Sequence, residues 1–361
     1  MTIQRLLAPV ACAALLAACA AAPSKPPPVE TSTPEPPAVT STAEPPPAAT
    51  STPEQPPAVI STPQPPLPPV PPEPPLVTPP PVEIVVPPPR IALVLGGGAA
   101  KGFAHVGAIK ALESQAIKPD IIVGTSVGSM VGALYASGYD GFELQRLALD
   151  MTESMVSDWS LPNRGFFRGE ALQEFVNRNV QNRPIEKLPR KLAIVATDLG
   201  SGEAIVFQRG DTGMAVRASS SVPGVFQPVK IGAREYVDGG LVSPVPVKAA
   251  RALGADIVIA VDISARPSPT PLAGTIDILL QTVTIMGKAI AANELLQADV
   301  IIKPDISKVS ATDFAGRHLA ILEGERAGLA AIPALKAKLA EREDRIRAQL
   351  MARQQPAGAV R

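Results

Sequence analysis

Proline is the residue that most constrains how this chain can fold, because it is concentrated in one stretch. Of the 361 residues, 43 are proline, and most of these lie between residues 23 and 89. Average proline usage is only about 5%. Proline fixes φ and lacks a backbone N–H, so this stretch is unsuited to helices and sheet ladders and is expected to sample extended polyproline II conformations. The folded part should therefore begin near Arg90.

The proline-rich stretch also contains a short internal repeat. Its units begin at Thr31, Thr40 and Thr50, and each of them starts with Thr-Ser-Thr. A period of nine to ten residues is shorter than the repeat units that stack into solenoids. We therefore predict that residues 19–89 form a proline-rich disordered linker that acts as a spacer.

The N-terminus has the pattern of an export signal. Arg5 supplies a positive charge, residues 6–15 are mainly apolar, and Leu-Ala-Ala-Cys ends at Cys19. This tetrapeptide resembles the lipobox of bacterial lipoproteins. The resemblance implies a signal peptide over residues 1–18 and acylation of Cys19. The other cysteine, Cys12, lies inside the signal, so Cys19 would have no disulfide partner.

Two expectations about location follow from this N-terminus. The lipobox resemblance implies a protein of the bacterial cell envelope, anchored to a membrane through lipidated Cys19 and facing the periplasm or the exterior. The alternative is an ordinary secretory signal cleaved near residues 20–22. The 33 basic and 33 acidic residues balance, so no global field indicates a nucleic-acid partner.

The remainder of the chain has the pattern of an α/β domain. Short apolar strands are predicted near Ile91, Ile121, Leu192, Ile257 and Val300. Predicted helices alternate with them, including 247–253, 273–297 and one that contains His318. This alternation predicts a mainly parallel sheet with helices on both faces. We assign residues 90–330 to this domain and residues 331–361 to a charged, solvated C-terminal helix and tail.

A glycine-rich segment follows the first predicted strand. It consists of Gly96, Gly97, Gly98, Ala99, Ala100, Lys101 and Gly102. Free N–H groups at such a strand-to-helix turn can bind an anion. A Walker phosphate loop is excluded because alanine precedes Lys101 and glycine follows it, and a dinucleotide fingerprint is excluded because Lys101 occupies the third glycine position. An oxyanion hole and a turn without a ligand both remain.

A second strand-to-helix turn carries a candidate nucleophile. Residues 119–123 form a short buried-type strand that leads into Gly124-Thr125-Ser126-Val127-Gly128, and a helical segment follows. This is the context of a nucleophile elbow, in which flanking glycines permit a strained turn that exposes the serine hydroxyl. Ser126 is the candidate nucleophile.

The base that would activate Ser126 is harder to identify. The chain has only two histidines, of which His105 is expected to pack beneath the glycine loop and His318 lies in a predicted helix. Asp238 ends a short strand and precedes Gly239 and Gly240, which suit a tight turn. Aspartate before glycine is common at turns for purely local reasons, so both readings of this motif stay open.

Four segments in this order resemble the signature blocks of patatin-like phospholipases, in particular the bacterial branch that resembles neuropathy target esterase. They are 96–102, 124–128, 218–229 and 238–240, and the similarity spans residues 90–305. The family often has arginine where this chain has Lys101. The resemblance implies a three-layer α/β fold and a histidine-free dyad of Ser126 and Asp238.

The resemblance also implies the rest of the site and its substrate. The oxyanion hole would comprise Gly96, Gly97, Gly98 and Ala99. The substrate would be an acyl ester such as a phospholipid, a lysophospholipid or a neutral lipid, and neither a metal nor a cofactor is expected.

Two other functions remain as alternatives. One is an α/β-hydrolase with a triad of Ser126, Asp262 and His318, whose chain order matches that fold. The other is a non-catalytic envelope lipoprotein whose domain binds lipids.

Overall fold

The computed structural model describes residues 84–158, 165–264, 274–309 and 314–354. The predicted signal peptide, Cys19 and the linker up to residue 83 lie outside these described residues. No described helix combines the length and apolarity that a membrane span requires.

A single sheet forms the centre of the domain. Its strands within the described residues are β1 (Ile91–Leu95), β2 (Ile121–Thr125), β3 (Lys191–Asp198), β4 (Ala204–Phe207), β5 (Val229–Ile231), β6 (Arg234–Asp238), β7 (Ile257–Val261) and β8 (Val300–Ile302). The strand order is β5-β6-β3-β2-β1-β7-β8, and β4 also pairs with β3. The five consecutive strands β3, β2, β1, β7 and β8 are parallel, whereas β4, β5 and β6 pair antiparallel. The predicted mainly parallel sheet is confirmed.

Eight α-helices of the described residues surround this sheet. They are α1 (Phe103–Glu113), α2 (Val127–Ala136), α3 (Gly141–Asp150), α4 (Glu170–Asn179), α5 (Thr212–Ser219), α6 (Val247–Ala252), α7 (Thr275–Leu295) and α8 (Arg317–Gln354). A 3₁₀ turn, Ala99–Gly102, precedes α1. All three helices predicted above are therefore present.

The two faces of the sheet are buried under different helices. Along β1, Leu93 and Leu95 pack with apolar residues of α1, α2 and α8, whereas Ala92 and Val94 pack with α6 and with Ala291 of α7. Alternate residues of a strand point to opposite faces, so burial of both sets requires helices on both sides. This explains why the strands are continuous apolar runs rather than alternating ones.

Helices α1 and α8 touch through their backbones. A Cβ atom on Gly107 would lie 1.9 Å from the carbonyl oxygen of Ile321, and one on Gly324 would lie 2.0 Å from that of Ala104. Side chains at these two positions would force the helices apart. This contact fixes α1, which follows directly from the glycine loop.

The C-terminal region differs from the sequence expectation. We expected a separate solvated helix from residue 331, but α8 is one helix of 38 residues that runs through Pro333. Leu335 is fully buried and Arg342 is 7% exposed. The Arg342 guanidinium donates hydrogen bonds to the Pro87 carbonyl and to Asp256, so this helix also contacts the chain just before β1. The core contacts of its apolar side outweigh the backbone hydrogen bond lost at proline.

Candidate active site

Ser126 lies between β2 and α2 in a strained backbone conformation. Its φ is 53° and its ψ is −129°, a combination that costs a non-glycine residue of the order of 1 to 3 kcal/mol. The Ser126 N–H donates to the Ser219 hydroxyl at 2.8 Å. The Ser126 carbonyl accepts from the N–H of Ser129 at 2.8 Å and from its hydroxyl at 2.6 Å. These hydrogen bonds hold the elbow in place.

The flanking glycines serve close packing. A Cβ on Gly124 would lie 2.4 Å from the Gly128 carbonyl oxygen, and one on Gly128 would lie 2.1 Å from that of Leu95. Neither glycine has a positive φ, so the strain expected of the elbow resides in Ser126. Glycine is required at both positions because the start of α2 packs on β2 at Gly124 and on β1 at Gly128.

Asp238 reaches the elbow because β2 and β6 share one edge of β3. Along β3, β2 pairs with residues 191–195, β6 with residues 196–198 and β4 with residues 194–197. Because β4 overlaps both of the other pairings and a strand has only two edges, β4 occupies one edge of β3, and β2 and β6 share the other. Along the shared edge, Thr125 is opposite Val195 and Asp238 is opposite Ala196. The ends of β2 and β6 therefore meet, and the residue after Thr125 is Ser126, the candidate nucleophile.

The Asp238 carboxylate is buried and only partly hydrogen-bonded. The side chain of this residue accepts a hydrogen bond from the Gly240 N–H at 2.6 Å through Oδ1, and the residue is 7% exposed. Oδ2 is buried and has no partner with hydrogen-bond geometry in the described part of the chain. Burial raises the pKa of Asp238 to about 6, although the Ser126 hydroxyl and the Gly240 N–H act to lower it.

Gly239 allows this approach. A Cβ on Gly239 would lie 2.2 Å from the Val195 carbonyl oxygen, so a side chain there would push the loop away from β3. The Asp238 carbonyl accepts from the Thr197 hydroxyl at 2.8 Å. The position of Asp238 is thus set by β3 on its backbone side.

The glycine loop corrects part of the predicted oxyanion hole. The Gly96 N–H donates to the Val261 carbonyl at 3.2 Å, and the Gly97 N–H donates to the Pro244 carbonyl at 2.9 Å. These two donors are therefore already engaged. The N–H groups of Gly98, Ala99 and Val127 have no acceptor among the described residues. All three residues line the same cavity as Ser126.

Gly102 and Lys101 differ in how they support the loop. A Cβ on Gly102 would lie 2.2 Å from Cγ2 of Val127, so glycine lets the loop pack on the residue after Ser126. Lys101 is half-buried, and burial lowers its pKa. It does not line the cavity in the described structure.

A largely apolar cavity of about 530 Å³ opens beside Ser126 and Asp238. Its walls come from the glycine loop, from α2, α3, α4 and α7, and from the 222–226 segment. Its apolar lining includes Met130, Leu134, Leu147, Phe175, Phe226 and Val283. A cavity of this size and polarity suits an apolar ligand with one polar reacting group.

The alternative triad is not assembled. Asp262 is 3% exposed and forms an ion pair with Lys303 at 2.7 Å, and His318 lies exposed on the first turn of α8. Neither residue lines the cavity that contains Ser126. The hydrolase triad of Ser126, Asp262 and His318 is therefore wrong.

His105 supports the glycine loop from below. It is fully buried, and its Nε2–H donates to the Gly96 carbonyl at 2.8 Å. Burial lowers its pKa to about 4, so the ring is neutral at pH 7. The structure places it as expected, packed under the loop rather than against Ser126.

Two residues of the site escaped the sequence analysis. The Ser219 hydroxyl accepts from the Ser126 N–H and donates to the Val195 carbonyl at 2.5 Å; it lies in the 218–229 block, but nothing in that block distinguishes it from its serine neighbours. Glu294 is a buried carboxylate near the end of α7, and one glutamate in a helix gives no signal at all. Within the described residues, no group of three or more histidine, cysteine or acidic side chains could hold a metal ion.

Comparison with known proteins shows which family part of the chain resembles. Residues 93–251 match the model of the patatin-like phospholipase family. An uncharacterized NTE family protein of Mycobacterium tuberculosis is 36% identical over 178 residues, which cover 48% of this chain and 49% of that protein. The human patatin-like phospholipase domain-containing protein 6 is 36% identical over 185 residues, which cover 49% of this chain and 13% of that protein.

The matched regions are partial. The chain spans about half the length of the mycobacterial relatives that it matches. Among solved structures, VipD from Legionella pneumophila aligns over 70% of this chain and 67% of its own, with a TM-score of 0.47 and 14% identity.

Proposed function

We propose that this chain is a lipid acyl hydrolase with a dyad of Ser126 and Asp238, on the premise that its residues 93–251 match the patatin-like phospholipase family. The observation that carries the proposal is the buried, half-satisfied carboxylate of Asp238 beside the strained Ser126. A carboxylate in this position can accept the serine proton directly, as a general base must.

Acylation would proceed in two movements. The Ser126 Oγ attacks the ester carbonyl carbon while its proton passes to Asp238, and the carbonyl oxygen becomes negative. The N–H groups of Gly98, Ala99 and Val127, which are free in the described structure, would stabilise this oxyanion. The bond to the leaving alkoxide then breaks, and the alkoxide takes the proton from Asp238.

Deacylation would repeat these roles with water. Asp238 accepts a proton from the attacking water, and the same N–H groups stabilise a second oxyanion. The bond between the acyl carbon and Ser126 Oγ then breaks, and Oγ takes the proton back from Asp238. The products are a fatty acid and the free serine. The raised pKa of Asp238 makes it a stronger base than an exposed aspartate while leaving it mainly ionised at pH 7.

The cavity supports a fatty-acyl ester as the substrate. The cavity has a volume of about 530 Å³ and a mainly apolar lining, so it would accommodate the acyl chain. Burial of each methylene group would contribute roughly 0.8 kcal/mol to substrate binding. Phospholipids, lysophospholipids and neutral lipids all present such a chain.

Covalent labelling tests the proposal. A fluorophosphonate probe should label the wild type, should not label Ser126→Ala, and should label Asp238→Asn far more slowly. Hydrolysis of a soluble short-chain ester should follow the same order. Absence of labelling in a folded wild-type protein would favour the non-catalytic lipid-binding alternative instead.

We also propose that the domain is held at a membrane of the bacterial envelope through lipidated Cys19. The support is the Leu-Ala-Ala-Cys sequence and the absence of a second cysteine after it. The Cys19→Ala variant should move to the soluble fraction and stay active there. Membrane retention of that variant would overturn the tether without affecting the catalytic proposal.

A further inference from the structure

Glu294 is a buried carboxylate that the proposed reaction does not use. It is 3% exposed. Its Oε1 accepts a hydrogen bond from the Ser243 hydroxyl at 2.6 Å, and its Oε2 accepts from the Val245 N–H at 3.3 Å. No ion pair to Glu294 occurs in the part of the chain that the structure describes. Burying an ionisable group without an ion-pair partner costs free energy, so an uncharged side chain could hold the loop at a lower cost in stability.

The loop that Glu294 holds, residues 243–245, is the point where the parts of the active site meet. The Thr125 hydroxyl donates to the Ser243 carbonyl at 2.8 Å, and the Gly97 N–H donates to the Pro244 carbonyl at 2.9 Å. The Ser243 N–H donates to the Gly239 carbonyl at 2.8 Å.

Each of these three partners is the chain neighbour of a reacting group. Thr125 precedes the nucleophile, Gly97 precedes the first free oxyanion donor, and Gly239 follows the base. The 243–245 loop is therefore bonded to three elements whose relative positions determine the reaction.

The charges around Glu294 are consistent with this role. Burial raises the pKa of Glu294 above its usual value, and the Ser243 hydroxyl, the Val245 N–H and the ammonium of Lys248 on α6 offset this only in part. Glu294 therefore connects the 243–245 loop to α7. The middle turns of the same helix, with Val283 and Gly287, line the cavity.

We propose that Glu294 is a positioning residue, which sets the distances between the nucleophile, the base and the oxyanion donors by fixing the 243–245 loop. This rests on the proposed function, since it assigns a role within the same site. It differs from a purely structural role in one respect: loss of Glu294 lowers the rate of the folded enzyme as well as its stability.

The test compares Glu294→Ala, Glu294→Gln and Ser243→Ala. Displacements of about 1 Å cost on the order of 100-fold in rate, so kcat for a soluble short-chain ester should fall roughly 10- to 100-fold in Glu294→Ala. KM should stay within about twofold in the Glu294 and Ser243 variants, because neither Glu294 nor Ser243 lines the cavity. Fluorophosphonate labelling should slow by the same factor as kcat.

The conservative variants sharpen the result. Glu294→Gln keeps an oxygen acceptor for the Ser243 hydroxyl but loses one for the Val245 N–H, so it should restore part of the rate. The double variant Glu294→Ala/Ser243→Ala should be little worse than Glu294→Ala alone, since both remove the same contact. Should Glu294→Ala fail to fold, the Gln and Ser243→Ala variants carry the comparison.

Asp262→Asn is the matched control. Asp262 is also buried, but it pairs with Lys303 and does not contact the 243–245 loop. It should lose stability without losing rate. If folded Glu294→Ala and Ser243→Ala both label at the wild-type rate, the positioning role is overturned while the hydrolase proposal stands. If the wild type itself fails to label, the hydrolase proposal fails first, and the positioning role falls with it.

Discussion

Two buried aspartates at the ends of different strands of the sheet have opposite properties. Asp238 ends β6 and Asp262 follows β7, and they are 7% and 3% exposed. Burial raises the pKa of both, but the hydrogen bonds from Lys303 and Ser264 outweigh it at Asp262 and hold its pKa below the usual value. At Asp238 burial prevails and the pKa is about 6. Burial alone therefore does not raise the pKa of an aspartate; a cation that pairs with the carboxylate can reverse the shift, and Asp238 has no such cation among the described residues.

The largest expected effect comes from Asp238→Asn. The amide keeps the size of the side chain but cannot accept a proton, so kcat should fall by about three orders of magnitude or more. The free energy of unfolding at pH 8 should not fall, because the substitution removes a buried charge. Urea denaturation and hydrolysis of a soluble ester measure both quantities. A variant that keeps more than a tenth of the activity would contradict the dyad.

The pH dependence of kcat/KM should report the ionisation of Asp238. Asp238 must be ionised to accept the serine proton, so kcat/KM should fall as pH drops through about 6, by roughly tenfold per pH unit well below that value.

Stability should respond with opposite signs at the two residues. The raised folded-state pKa of Asp238 means that its stabilisation is present at low pH and is lost as pH rises through about 6. The lowered pKa of Asp262 means that its contribution is present at neutral pH and is lost on acidification. For each variant, the free energy of unfolding relative to the wild type is measured across about pH 2 to 8, so that acidification also reaches the lowered pKa of Asp262. The same sign of pH dependence in both variants would refute the contrast.

Removal of the cation tests the comparison at the other aspartate. Lys303→Met leaves Asp262 buried without its counter-ion and should lower the free energy of unfolding by roughly 1 to 3 kcal/mol. Asp262→Asn should cost less, because no charge stays buried. Activity per folded molecule should change little in either variant, as neither residue lines the cavity. Equal losses of unfolding free energy in the two variants would show that Lys303 does not act by compensating the buried charge of Asp262.

The smallest effect is expected for His318→Ala. This histidine is exposed on α8 and lies outside the cavity wall, so kcat should stay within about twofold. Abolished turnover in a folded variant would restore a histidine-based mechanism.

The parts of the site that sequence could predict are those with local causes. Ser126 and Asp238 each sit at a strand end beside glycines that pack closely, and such motifs are visible in a few consecutive residues. The N–H groups that are free to serve as oxyanion donors were not fully predictable. The acceptors that engage the Gly96 and Gly97 N–H groups belong to Val261 and Pro244, which are far away in the chain.

The same distinction applies to the fold. The strands of the parallel core follow from short apolar runs. The continuity of α8 does not, because Pro333 and the many charges after it favour a boundary, whereas Leu335 and Arg342 are buried only through contacts with distant segments. Glu294 belongs to this second class, since its role depends on Ser243 and Val245.

The backbone strain at Ser126 places stability and catalysis in opposition. Glycine adopts a φ of 53° with a ψ of −129° far more readily than serine does, so Ser126→Gly should raise the free energy of unfolding by about 1 kcal/mol while it removes the nucleophile. Thermal denaturation of that variant measures the difference. The backbone at this position therefore favours glycine, whereas the proposed reaction requires serine.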